Sequence, residues 1–229
     1  MNWEKLRTRL GGGGSVAKKR KRASSPLMAD QHPSSKEEAP NDAPGEPTRC
    51  LAIDCEFVGV GADGERNALA RVSITNFHGD VVYDKFVKPI ESVTDYRTWV
   101  SGVRPADLET AVDFKTAQKD VAEILKDRII VGHSIKHDLH ALMLTHASHL
   151  IRDTASKKSG FCPKGPRSLR ALCKTHLDLD IQSNEHSSVE DARATMLLYK
   201  TRRKIWEKEA SIISKRHRNR RKKKLKAKS

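Results

Sequence analysis

The chain has 229 residues, 44 of them Lys or Arg against 29 Asp or Glu, and only 5% are aromatic. Its formal +15 divides as +3 over residues 1–48, zero over 49–201 and +12 over 202–229, which excludes a uniformly basic nucleic-acid coat and leaves a neutral body with basic ends. No apolar run approaches the ~18 residues that cross a bilayer, and the amino terminus lacks an apolar signal stretch, so a soluble intracellular protein with no membrane partner is expected.

Residues 1–48 hold "GGGGS", "KKRKR" and the Pro-rich "PSSKEEAPNDAPGEPT". With little apolar surface to bury, they read as a disordered N-terminal arm. The basic cluster is a candidate nuclear-localisation signal, which import receptors would read.

"LAIDCEFVGV", residues 51–60, reads as a buried β-strand carrying two acids. Strand alternation places Asp54 and Glu56 on one face and Ile53, Cys55 and Phe57 on the other. Adjacent buried carboxylates repel, and one must be protonated or cations must lie between them. An edge strand whose acids reach water is the alternative. "GVGADGE" then supplies Gly59, Gly61 and Gly64 in a G-x-G-x-x-G pattern, but a β-branched run, "ALARVSITNF", follows where a dinucleotide fold needs a helix. The glycines therefore read as a hairpin loop, and "VVYDKFVKP" as a third strand of an antiparallel meander.

The period then changes. "DFKTAQKDVAEILKD" puts Phe114, Ala117, Val121, Ile124 and Leu125 on one helical face. "RIIVGHS" is a short strand, and "KHDLHALMLTH" a helix with Leu139, Leu142 and Met143 inward. "SLRALCKTHL" and "SSVEDARATMLLYKTRRKIW" are two more helices. Strands first, then strands alternating with helices, predict an α/β fold with a mixed sheet flanked by helices.

Asp138 falls in the first turn of the helix after "RIIVGHS", where any acid is favoured by the helix dipole. Asp191, three residues after Ser188, looks like a capping-box acid. His186 lies just before that helix, and a histidine beside a carboxylate-lined metal site is suited to general-base work. His133, His137 and His140 cluster at zinc-like spacing, yet no further Cys or His is placed to close such a site. Cys50, Cys55, Cys162 and Cys173 show no CxxC spacing and read as reduced packing residues.

Together "DCE" in a strand, "VGHSIKHDLHAL" at a strand-to-helix junction and "HSSVEDARATM" opening a late helix resemble the motifs of the DEDD-type 3′-to-5′ exonucleases that carry a histidine in the third motif. "DCEFVGVG", "ALARVSITN", "DYRTWVSGVRP" and "FCPKGPRSLRALCKTHL" add a closer resemblance to the RNA exonuclease 4 branch. It covers residues 49–201. The resemblance implies a ribonuclease H-like fold with a five-stranded sheet and an exonuclease domain over 49–201. It also implies metal ligands Asp54, Glu56, Asp138 and Asp191 for two Mg²⁺ or Mn²⁺, and His186 as general base. The expected products are nucleoside 5′-monophosphates. Phe57, where relatives often carry Met, is expected to contact a terminal base. Arg97 and the basic loop "CPKGPRSLR" are candidate phosphate or sugar contacts.

"RRKIWEKEASIISKRHRNRRKKKLKAKS", residues 202–229, is expected to begin as helix and continue as a disordered basic tail that binds phosphates by counterion release. The expected partners are single-stranded RNA 3′ ends, above all pre-rRNA in pre-ribosomal particles, and the expected address is the nucleus, in particular the nucleolus. Two competing readings stand beside the exoribonuclease: a non-catalytic assembly factor that binds pre-rRNA through its tail, and the same chemistry on DNA in repair.

Overall fold

The computed structural model describes residues 44–226, apart from Pro166, Ser183 and Asn184, with side chains through Ile212. The arm through residue 43, expected to be disordered, lies outside the described residues. The folded unit begins at Gly45, and Thr48 is already buried, its hydroxyl donating to the Cys50 carbonyl.

Seven strands form the sheet: β1 Cys50–Val60, β2 Arg66–Thr75, β3 Val81–Lys88, β4 Val93–Asp95, β5 Val112–Asp113, β6 Ile129–Gly132 and β7 Ile151–Asp153. They run in the order β5-β3-β2-β1-β6-β7, with β4 pairing separately on β1. The three long strands make the antiparallel meander, while β6 lies parallel to β1 and β7 parallel to β6. The expected mixed five-stranded sheet is therefore the run β3-β2-β1-β6-β7, and the count rises to seven through β4 and β5. Those two are three and two residues long, too short to carry an alternating apolar pattern.

Among the described residues six α-helices accompany the sheet: α1 Thr98–Ser101, α2 Pro105–Glu109, α3 Phe114–Leu125, α4 Lys136–Ala141, α5 Leu169–Leu177 and α6 Ser188–Lys226. β1 is buried on both faces, and its alternation decides which helices cover which face. Leu51, Ile53 and Cys55 pack in one cluster with Val121 and Leu125 of α3 and Leu139 of α4. Cys50 and Ala52 pack in another with Leu172 of α5 and Met196 and Tyr199 of α6. The sheet is thus a middle layer between two helical ones.

All four cysteines are buried thiols, none in a disulfide. Met143, expected inward, is 68% exposed, because α4 stops at Ala141 and the chain turns with Met143 at φ 51°. At the other end, α6 runs without a break across position 201. Trp206 is buried against Phe161 and Tyr199, so the helix beyond residue 201 is still part of the packed body. Among the described residues no helix is long and apolar enough to cross a membrane.

Candidate active site

The middle of β1 is where the sheet opens. β6 pairs only with Cys50, Leu51 and Ala52, and β4 only with Gly59 and Val60, so between them the strand has one side without a strand partner. Asp54 and Glu56 lie on that stretch. Asp138, in the first turn of α4, fills part of the gap: its carboxylate accepts from both the thiol and the backbone N–H of Cys55.

On its other side β1 faces β2, with Asp54 opposite Ser73 and Glu56 opposite Arg71, and β2 in turn sets Ser73 opposite Asp84 of β3. Directly opposed residues share a face, and here they form a polar network. Arg71 gives Asp84 a bidentate pair at 2.9 and 2.8 Å. Ser73 donates to Asp84 at 2.7 Å and meets the Ser188 hydroxyl at 2.6 Å. The backbone N–H of Ser188, at the start of α6, donates to Glu56. Glu56 is thus held by the opening N–H of a helix, a favoured place for a carboxylate.

Asp191, one turn into α6, accepts from the Gln182 side chain at 2.7 Å, and His186 Nδ1 stands 3.9 Å from the same oxygen. The capping-box role expected of Asp191 is absent, since its carboxylate serves Gln182 and His186 rather than the helix N-terminus. The His186 loop is braced from α1: its backbone N–H donates to Val100 O at 2.8 Å, while Arg104 pairs with Glu185 at 2.6 Å.

Glu56, Asp138 and Asp191 are only 5%, 5% and 3% exposed, and the four acids feel one another. Burial first, then the charges of Asp138, Asp191 and Glu56, pushes Asp54 well above the usual carboxylate range. Burial, with Asp191 next, raises Glu56 to about 8. Burial raises Asp138 to about 7 despite its bonds from Cys55, and it raises Asp191 although Gln182 and His186 oppose it. Such a cluster is stable at neutral pH only with protons or cations to balance it.

Within it, Glu56 Oε1 is fully buried with no hydrogen-bond partner. An orphaned carboxylate oxygen among three further acids is a donor set for a hard divalent cation. Among the described residues no three Asp, Glu, His or Cys side chains are already closed around one metal position. The acids share a region rather than a finished cage. Asp54, Glu56, His186 and Asp191 line a cleft of about 440 Å³, with Phe57, Arg97, Trp99, His133 and Gln182 also in its wall.

The other sequence candidates take different places. Phe57 is half-buried, packed against the core cluster that contains Ile53 and Cys55. Arg97 spends its guanidinium inside the protein, donating to Asn67 Oδ1 and Gly64 O at 2.6 Å each. His133 bonds Thr154 at 3.0 Å instead of joining His137 and His140. Sequence reasoning missed Gln182, Ser73 and Ser188, whose roles depend on cross-strand register and loop path. It also passed over Trp99 within "DYRTWVSGVRP", where an aromatic side chain beside Arg97 was the signal.

The chain is similar to RNA exonuclease 4 of Candida glabrata (55% identical over 162 residues, 69% of this chain and 62% of that one). It is similar also to RNA exonuclease 4 of Saccharomyces cerevisiae (54% over 162 residues, 69% and 55%) and of Xenopus laevis (52% over 163 residues, 70% and 38%). It spans less than two thirds of the length of these relatives. Among solved structures, the Neurospora crassa Pan2 catalytic unit, with protease and nuclease domain, superposes with a TM-score of 0.63 at 25% identity, over 82% of this chain and 33% of that one. The Saccharomyces cerevisiae Pan2 pseudoubiquitin hydrolase-RNA exonuclease module in complex with A7 RNA gives 0.62 at 28% identity, over 79% and 33%. A family described as Exonuclease matches residues 51–199, a span that contains all four acids and His186, and the chain belongs to that exonuclease family.

Proposed function

We propose that this chain is a divalent-metal-dependent 3′-to-5′ exoribonuclease that releases nucleoside 5′-monophosphates. The observation that carries the reading is the unpartnered Oε1 of Glu56 within four mutually repelling acids. Asp54, Glu56, Asp138 and Asp191 would hold Mg²⁺ or Mn²⁺. Bound there, such ions supply the counter-charge for the acids and the electrostatic stabilisation of attacking and leaving oxygens that phosphodiester hydrolysis needs.

The remaining work falls to the protein. His186 turns Nδ1 toward Asp191, which leaves Nε2 to take the proton of a water aligned on the terminal phosphorus. The imidazolium so formed is stabilised by the Asp191 carboxylate beside it. Gln182 and the Val100 carbonyl fix the two partners. The cleft walls limit access to a strand end. The basic run after residue 202 adds affinity without reading sequence. The RNA exonuclease 4 relatives support RNA as substrate, and the two basic runs support a nuclear, nucleolar site of action on pre-rRNA, reached through import receptors.

The test is degradation of 5′-labelled single-stranded RNA and DNA of matched sequence by the chain and by His186→Ala, in Mg²⁺, Mn²⁺ and EDTA. Stepwise shortening from the 3′ end that requires metal, prefers RNA and drops roughly 100-fold or more in the variant is expected. Binding without shortening under every metal condition would overturn the enzyme reading in favour of an assembly factor. Equal or faster loss of DNA would move the substrate to DNA.

A further inference from the structure

Trp99 is 80% exposed, whereas the described tryptophan Trp206 is buried in the core. Single exposed apolar side chains are common on protein surfaces, so exposure alone says little. Two further observations set Trp99 apart. It lines the same cleft as Asp54, Glu56, His186 and Asp191. It is also displayed from a short helix tied down by several tertiary hydrogen bonds.

That bracing surrounds it on every side. Arg97, in the left-handed region at φ 47°, ties the start of α1 to Gly64 O and Asn67. Thr98 Oγ1 donates to Val103 O at 2.7 Å, and Ser101 Oγ donates to Tyr96 O at 2.8 Å. Val100 O accepts from the His186 backbone. Within α1, Thr98 and Val100 are more than half buried and Ser101 is buried, whereas the Trp99 indole projects. A four-residue helix held at both ends presents the ring from a fixed backbone position, which lowers the ordering cost of binding there.

We infer that Trp99 is a base-stacking residue, taking the face of one nucleotide near the 3′ end of a single strand whose terminus lies among the carboxylates. The inference rests on the exonuclease reading for the position of that terminus. An indole face accepts any base, so this contact confers grip without sequence preference. It also fits a cleft wall with few other aromatics: Phe57 is half-buried in the core and Trp99 offers the free ring. The backbone link from Val100 to His186 sets the stacking ring and the general base on one rigid unit, so a stacked base would fix the distance from strand to His186.

The experiment measures binding of 5′-labelled hexamer RNAs to the full chain carrying Asp54→Asn, at raised salt to weaken the basic tail. The RNAs are intact or carry one abasic nucleotide at each of the last three positions. Trp99→Ala is expected to weaken intact RNA about 5- to 150-fold, the range that stacking contributes per base, and Trp99→Phe to recover most of it. An abasic nucleotide at one position is expected to weaken binding to Trp99 by a similar factor and to Trp99→Ala not at all. Losses in Trp99→Ala that are equal for intact and abasic RNAs would overturn the inference and assign Trp99 a structural role or another partner, as would no loss at all. Stacking without strand shortening by the unmodified chain would instead sink the enzyme reading and leave Trp99 in place. Shortening with unchanged KM in Trp99→Ala would do the reverse.

Discussion

Asp138 keeps its proton to about pH 7 and Glu56 to about 8, whereas in an unfolded chain both ionise near pH 4. Between those limits the metal-free native state binds more protons than the unfolded state, so stability falls as pH rises. His133 and His176, whose values burial lowers, act in the opposite sense but finish near 6.5. From about pH 6.5 to 8 the carboxylates therefore dominate, before the buried thiols of Cys55 and Cys173, which burial pushes up, add a fall in the same sense near 8.5. In EDTA the melting temperature is expected to fall across that range, and Glu56→Gln, which keeps a carbonyl oxygen for the Ser188 N–H, is expected to flatten the fall and melt higher at pH 8. Adding Mg²⁺ is expected to raise the melting temperature more at pH 8 than at pH 6.5. A flat profile for the metal-free chain that Glu56→Gln leaves unchanged would show that the acids carry no such strain. The i, i+2 spacing in "DCE" was enough to put Asp54 and Glu56 on one face. It did not reveal Gln182, Ser73 or Ser188, because a hydrogen bond across strands or from a loop is set by register and chain path rather than by local pattern.

At the scale of elements, the β1–β2 hairpin positions the cleft wall, and its glycines are the reason. A Cβ on Gly59 would lie 2.6 Å from Gly64 O and 2.9 Å from Gly64 Cα, a clash between backbones that no side-chain adjustment relieves. Gly64 O is also the acceptor for Arg97, so a shift in the loop is passed to α1 and from there to Val100 and His186. Gly59→Ala is expected to destabilise the protein by about 1–3 kcal/mol, the usual range for overpacking. It is also expected to lower activity beyond what the fraction unfolded explains. Thermal melting and kcat on the same preparation separate the two effects, and full activity at the wild-type melting temperature would refute the coupling. The hairpin was legible because the strands around it alternate and the glycines break the pattern. β4, β5, β7 and α1 were not, being segments of two to four residues held by tertiary bonds. Their hydrophobic pattern is too short to announce itself, although α1 carries both Trp99 and the brace for His186.

For the molecule as a whole, the question is where the neutral body ends and the basic tail begins. The charge count drew that line at residue 201 because composition changes there. Packing puts it further along α6. Arg152 is 5% exposed and receives its bidentate partner from Glu207 at 2.7 and 2.8 Å. Tyr199 also bonds Glu207, and Trp206 closes the core over Phe161. A chain ending at residue 201 would lose a buried tryptophan and leave a buried guanidinium without its carboxylate, a change of about 3–5 kcal/mol for the broken pair alone. Such a truncation is expected to yield insoluble or strongly destabilised protein. A chain ending at Ile212 keeps all of these interactions but removes ten of the fourteen Lys and Arg residues that follow position 201. It is expected to melt within a few degrees of the full chain, to retain kcat on short RNA, and to bind long RNA more weakly with a shallower dependence on salt. Every phosphate that no longer meets a basic side chain should reduce the slope of log K against log salt by about 0.7 for single strands. An unchanged slope would mean that the basic run does not touch RNA and serves targeting alone, and a collapse of kcat on short RNA would mean that the helix beyond Ile212 supports the site itself.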